Sequence, residues 1–111
     1  MNPDPQTYLR SLTQLYLRLP DTPRRLSRSD HLLGQHLFDR HIPLTLVETA
    51  LLLAAARRAA RPPAAPPLEP IRSLHYFLPV IEELLENPLP DSYLPYLRRK
   101  VSLRPSPQCP L

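Results

Sequence analysis

Proline sets the terms on which this chain can fold. The sequence holds 17 prolines and a single glycine, Gly34, and the prolines stand as punctuation between leucine-rich blocks. A proline inside a helix removes a backbone donor and collides with the preceding turn. Each helix must therefore fit between prolines or begin on one. With 24 leucines among 111 residues, the blocks favour helix, since leucine loses little rotamer freedom there and glycine would cost backbone entropy. The expected fold is all-α: a compact bundle of four to five short helices, a proline-rich connector over residues 62–70, and a disordered C-terminal tail. A chain of this length builds one modest core, so residues 1–103 read as a single domain and 104–111 as the tail.

The blocks can be placed by their periodicity. Tyr8, Leu9, Leu12, Leu15, Tyr16 and Leu19 recur on one face of a 3.6-residue repeat, predicting a first helix over residues 5–19 that Pro20 stops. Residues 20–25 form a loop, because two prolines three apart cannot both sit inside a helix. Ser27 through Asp30 reads as a capping box: the serine accepts from the Asp30 amide while the carboxylate reaches back. Leu33, Leu37 and Phe38 give the second helix its stripe. It ends by His41, since Ile42 precedes Pro43. Thr45 through Glu48 is a second capping box, opening a helix apolar nearly all round (Leu46, Val47, Ala50 to Ala55), which predicts that it is surrounded by the others.

Residues 62–70, PPAAPPLEP, favour an extended polyproline-II spacer of about 28 Å at about 3.1 Å per residue. A plain connector is the expectation, with a ligand for an aromatic groove as the alternative. In the segment IRSLHYFLPVIEELLENP, residues 71–88, Ser73 is the natural N-cap. Pro79 either sits in the first turn or kinks a continuous helix. A last helix is predicted from an Asp91 N-cap to Leu103, with Tyr93, Leu94, Leu97 and Val101 inward and Arg98, Arg99 and Lys100 outward. From Ser102 on, the chain reads as too polar and proline-rich to pack.

Catalytic chemistry finds little footing. His31, His36 and His41 are five apart, which turns each by about 140° from the last on a helix, so they cannot converge on one ion. Together with His75 they read as polar surface residues, and no metal site is expected. One glycine precludes the usual phosphate-cradling loops, so no cofactor is expected, and a small-molecule substrate is not. Cys109 stands alone in the tail, leaving no disulfide framework. The N-terminus lacks the features of a signal peptide, and the longest apolar run is far short of the roughly 20 residues that cross a bilayer. A cytoplasmic, non-enzymatic protein without membrane contact is the expectation.

Charge points to a partner. The net charge of +4 is carried by 13 arginines and one lysine, a balance suited to nucleic acid or another acidic partner. Three basic clusters are the candidate phosphate contacts: Arg24, Arg25 and Arg28; Arg57, Arg58 and Arg61; Arg98, Arg99 and Lys100. The first is the preferred one, because cations before a helix N-terminus oppose the dipole and have no structural reason to be there. The second and third suit helix C-termini. Glu82, Glu83 and Glu86 conversely oppose a C-terminal dipole. They either pair with Arg98, Arg99 and Lys100 or form a docking site for a basic partner. Helices two and three have the spacing of a helix-turn-helix, but the second lacks donors for base edges, so sequence-specific groove readout through it is not expected.

Residues 42–85 resemble the helical DnaD-like domain of bacterial and phage primosome proteins. An Ala- and Leu-rich helix is followed by Tyr76, Val80 and Ile81 at the offsets of that domain's Tyr-x-x-x-Ile-Leu-x-x-Trp motif, with Leu84 at the place of the tryptophan. The stretch also looks like small proteins of bacterial mobile elements. The resemblance implies a helical accessory protein of DNA replication or recombination with DNA and partner contacts near the end of the motif. The expected function is thus an accessory module that binds nucleic acid, DNA or RNA without sequence preference, or an enzyme that processes it. The alternative is a protein–protein adaptor or small structural subunit with no nucleic-acid contact. A small enzyme working through Glu82, Glu83 and Glu86 is a third and lesser reading.

Overall fold

The computed structural model describes residues 2–104. Five α-helices and one 3-10 turn account for its regular structure: α1 (Pro5–Arg18), α2 (Arg28–Asp39), α3 (Leu44–Ala59), the 3-10 turn (Leu74–Phe77), α4 (Leu78–Glu86) and α5 (Tyr93–Lys100). No strand occurs among the described residues. The all-α bundle read from the proline spacing is the fold observed.

Helix α1 is capped by Asp4, whose carboxylate accepts from the Thr7 amide at 3.2 Å and the Thr7 hydroxyl at 2.8 Å. Those bonds hold the Asp4 carboxyl below its usual range. Tyr8, Leu12, Tyr16 and Leu19 are buried, and Leu9 and Leu15 are half-buried. Gly34 brings α2 close: a Cβ there would stand 2.7 Å from a Leu9 methyl. Helix α2 ends without a glycine. His41 takes the left-handed conformation at φ 60, and the amides of His41 and Ile42 close back on the carbonyls of Phe38 and Leu37, a Schellman motif with buried Ile42 as its apolar partner.

Helix α3 lies at the centre, as its composition predicts. Val47 and every residue from Ala50 to Ala55 are buried, and α1, the 3-10 turn, α4 and α5 all pack on it. Helix α2 packs on α1 and the 3-10 turn.

Local capping is where the structure departs from the sequence reading. Ser27 does accept from the Asp30 amide, at 3.0 Å, but the Asp30 carboxylate does not reach back to it. It points inward, 1% exposed, and its Oδ1 accepts from the Ser73 hydroxyl at 2.9 Å and the Leu74 amide at 3.0 Å. Thr45 is not an N-cap. Pro43 fixes its own φ and lets the helix begin at once, so Leu44 is the first helical residue and its amide donates to Asn2 Oδ1 at 2.8 Å. Asn2 also donates to the Ile42 carbonyl, which Tyr8 shares.

The connector is not extended throughout: the Ala65 amide donates to the Pro62 carbonyl, folding its start into a turn centred on Pro63 and Ala64. Extended backbone follows, tied down by Arg61 on Pro66, Arg58 on Glu69, and the Ile71 amide on Asp21. Ser73 caps the 3-10 turn by accepting from the His75 amide. Pro79 falls in the first turn of α4, settling the alternative in favour of a helix start. Helix α5 is shorter than expected, with Ser92 in place of Asp91 at its N-cap.

At Val101 the backbone extends and the chain crosses to the end of α1. There the Arg104 amide donates to the Arg18 carbonyl, and the Arg104 guanidinium to Leu17 O, Thr22 O and Thr22 Oγ1. Leu103 packs against the core. The expectation that nothing packs from Ser102 on therefore fails for Leu103 and Arg104, because α1 leaves carbonyls unpaired that an arginine can satisfy. The rest of the expected tail, 105–111 with Cys109, lies outside the described residues.

The buried Asp30 contact carries a definite stability expectation. Asp30→Ala leaves the Leu74 amide without an acceptor and costs about 2–3 kcal/mol, Ser73→Ala about 1 kcal/mol. In a double-mutant cycle read by urea unfolding the two losses are expected to be non-additive. Simple additivity would show that the two groups do not act together.

Alkaline pH tests the α1 core. Burial pushes the Tyr8 phenol up to about 12, and burial followed by the Asp30 charge pushes Tyr16 up as well. Both phenols ionise more readily in the unfolded chain, so their stabilisation is complete below pH about 10 and is lost as pH rises towards 12. Stability should fall by on the order of 2 kcal/mol for Tyr8 alone across that window, and Tyr8→Phe should flatten the decline.

Candidate functional site

The three basic clusters meet different fates in the fold. Arg24, Arg25 and Arg28 are exposed and have no ion pair or hydrogen-bond partner among the described residues. They lead into α2, whose free N-terminal amides and Ser27 cap face the same solvent, so an anion arriving there meets both the arginines and the positive end of the helix. Next to Leu26, a hollow of about 330 Å³ between α1 and α2 is bordered by Arg10 and His31.

Cluster two is tied down. Arg57 makes a two-bond pair with Glu83 at 3.0 and 2.7 Å. Arg58 donates to Asp21 at 3.3 Å and to the Tyr76 hydroxyl at 3.2 Å, with its guanidinium 5.5 Å from the Tyr76 ring centre. Arg61 bonds the Pro66 carbonyl. Cluster three divides across α5. Arg98 turns to one flank and pairs with Glu48 through two bonds of 2.7 and 2.9 Å. Lys100 turns to the other, where its ammonium lies 5.6 Å from the centre of the Tyr96 ring. Arg99 is exposed and has no partner among the described residues. Arg57 stands in the last turn of α3, whereas the Arg98 pair forms at Glu48 in that helix's first half, so the clusters do not make one compact patch.

The acidic rim of α4 pairs, but not with Arg98, Arg99 and Lys100. Glu82 takes a two-bond contact from Arg40 at 3.0 and 3.2 Å, and Glu83 takes one from Arg57. Adjacent residues on a helix point about 100° apart, which sends the two carboxylates to two neighbours, the end of α2 and the end of α3. These hydrogen bonds hold both glutamates below the usual range and raise Arg40 and Arg57. Glu86 alone of the three has no partner among the described residues. A docking surface for a basic partner is thereby reduced to one free carboxylate.

His31, His36 and His41 are exposed. His75 differs. Its Nδ1 lies 2.8 Å from Ser73 Oγ and 3.7 Å from Asp30 Oδ1. Since the serine hydroxyl already donates to Asp30, its oxygen is left to accept from Nδ1. The evident work of this cluster is to hold the start of the 3-10 turn. Among the described residues no cluster of three or more His, Cys, Asp or Glu is placed to hold a metal ion, and no helix is long and apolar enough to cross a membrane.

Sequence reasoning missed the tyrosines. Tyr76 and Tyr96 are 43% and 41% exposed, and Tyr93, read as inward-facing, is half-buried with its ring 5.4 Å from that of Tyr96. Helix α5 packs on α3 with its Arg98 on Glu48, so Tyr93 at its start lies toward the end of α3 that carries Arg57. The signal was present in the i, i+3, i+7 spacing of Tyr93, Tyr96 and Lys100.

Differential arginine modification checks this sorting. With phenylglyoxal, Arg24, Arg25 and Arg28 should react first and Arg58, whose side chain is 11% exposed, last, as read by peptide mass spectrometry. Equal rates at Arg58 and Arg24 would contradict the arrangement. Comparison of the chain with protein-family models, curated proteins and solved structures finds no match.

Proposed function

We propose that this protein is a non-enzymatic accessory module that binds nucleic acid through arginine–phosphate contacts, in the cytoplasm, in the service of replication or recombination of bacterial or mobile-element DNA. The observation that carries the reading is the state of Arg24, Arg25 and Arg28. Four other arginines of this fold, Arg40, Arg57, Arg58 and Arg98, are matched to carboxylates. These three are left unmatched beside a helix N-terminus, where an intramolecular role would disfavour them. Charge that the fold does not use internally is available to phosphates. The resemblance of residues 42–85 to DnaD-like domains supports the same direction.

A second reading has its own observation. A groove of about 590 Å³ runs between α3, the end of α4 and α5, bordered by Pro43, Leu46, Leu84, Leu89, Leu94 and Pro95. An apolar groove of this kind suits an adaptor that holds a protein partner without touching nucleic acid.

Salt separates the two. Affinity for a short DNA or RNA should fall steeply between low and moderate salt, and replacing Arg24, Arg25 and Arg28 together by alanine should reduce the slope of log K against log salt by about 2–3. Binding that is absent, or insensitive to salt, removes the phosphate-contact reading and leaves the adaptor.

A further inference from the structure

Exposed aromatic rings are uncommon in a protein with so few aromatic residues. Of 5 tyrosines and 2 phenylalanines, Tyr8, Tyr16 and Phe77 are fully buried. Tyr76 and Tyr96 are left open, and each carries a cation on its ring. The two belong to a band along α3 and α5, which pack together. Tyr76 shares a hollow of about 350 Å³ with Arg57, Arg58, Arg61 and Val80. Helix α5 packs on α3 with Arg98 on Glu48, which sets Tyr93, at the start of α5, toward the end of α3 that carries Arg57, and Tyr93 abuts Tyr96. The band is built from the 3-10 turn, the last turn of α3, and α5. Its carboxylates are Asp21 on Arg58 and Glu83 on Arg57, leaving Arg61, Arg99 and Lys100 without one.

We infer that this band, Tyr76 through Tyr93 and Tyr96 with Arg57, Arg58, Arg61 and Lys100 interleaved, is a stacking platform for the unpaired bases of single-stranded nucleic acid. The inference rests on the proposed nucleic-acid role and names its ligand as an unpaired strand. The chemistry is complementary at both levels. Flat apolar base faces take the place of water on the exposed rings, while the neighbouring phosphates meet the cations. A duplex hides its base faces inside the stack and offers the band only phosphates. An acidic peptide would engage the cations and leave the rings uncovered. Tyr96 is the position on which binding turns, because it is open, lies between Tyr93 and Lys100, and makes no hydrogen bond among the described contacts.

The test uses the full chain and fluorescein-labelled oligothymidine of about 15 nucleotides, beside a duplex of equal length, read by anisotropy. Oligothymidine should bind more tightly than the duplex and quench the tyrosine emission, which no tryptophan masks. Tyr96→Ala should weaken single-strand binding about tenfold and leave duplex binding unchanged, while Tyr96→Phe keeps the ring and the affinity. The phenylalanine variant also guards against misfolding of the alanine one, with circular dichroism as the check. Equal affinity for duplex, indifference to Tyr96→Ala, or displacement of the oligonucleotide by polyglutamate as readily as by unlabelled oligothymidine would overturn the inference. If the arginine triple variant still abolishes binding in that case, the phosphate-contact role stands without the platform. No binding of either nucleic acid removes both.

Discussion

The carboxylate of Asp30 holds together two parts of the chain that sequence keeps far apart. It stands in the first turn of α2, yet its Oδ1 accepts from Ser73 and Leu74, 43 and 44 residues away. A buried carboxylate without such donors would cost several kcal/mol, so the contact fixes where the 3-10 turn must begin. That position sets the rest. Leu74 and Phe77 enter the core beside Tyr16, Pro79 falls where a missing amide is harmless, and α4 is aimed along α3. The arrangement is not fully satisfied: Asp30 Oδ2 and the Tyr16 hydroxyl are buried without a complete hydrogen bond. Their mutual proximity, felt in the raised Tyr16 phenol, makes this the polar point in the core most sensitive to substitution.

A glycine-poor chain must end its helices by other means, and here the ends are closed from a distance. Asn2 supplies the acceptor at the start of α3 and a donor to Ile42. Arg104 supplies donors to the carbonyls that α1 leaves open. His41 and Asp21 take left-handed conformations usually given to glycine. Asn2 and Arg104 therefore act as clamps at the two ends of α1, and the cost of ordering them is offset by backbone groups that would otherwise stay unpaired.

This explains what was legible in the sequence and what was not. Helix positions followed from proline spacing and apolar periodicity, both of which are local, and the burial of α3 followed from its composition. Pairing rules that look only three residues ahead did less well. Asp30 and Glu48 sit at the fourth position of plausible capping boxes, yet one serves Ser73 and Leu74 and the other serves Arg98. In each case a partner brought by tertiary packing offered more than the neighbouring amide. The glutamates of α4 show the same limit. Their charge implied basic partners, but only the packing of α4 on α3 and beside the end of α2 selects Arg40 and Arg57 over the arginines next in sequence.

The same selection bears on function, because folding acts as a filter on charge. A net charge of +4 says nothing about which cations are free. In the folded chain Glu48, Asp21, Glu82 and Glu83 each neutralise one arginine. Arg18, Arg61 and Arg104 are occupied with carbonyls. Apart from Arg10 and Arg72, what remains among the described residues gathers at two places, the α1–α2 loop with Arg24, Arg25 and Arg28, and the end of α5 with Arg99 and Lys100. The first has no aromatic ring among its arginines and suits phosphates alone. The second lies against Tyr96, so a strand held there must offer a ring face as well as a charge, and a strand long enough to reach both places would be gripped by its backbone at one and by its bases at the other.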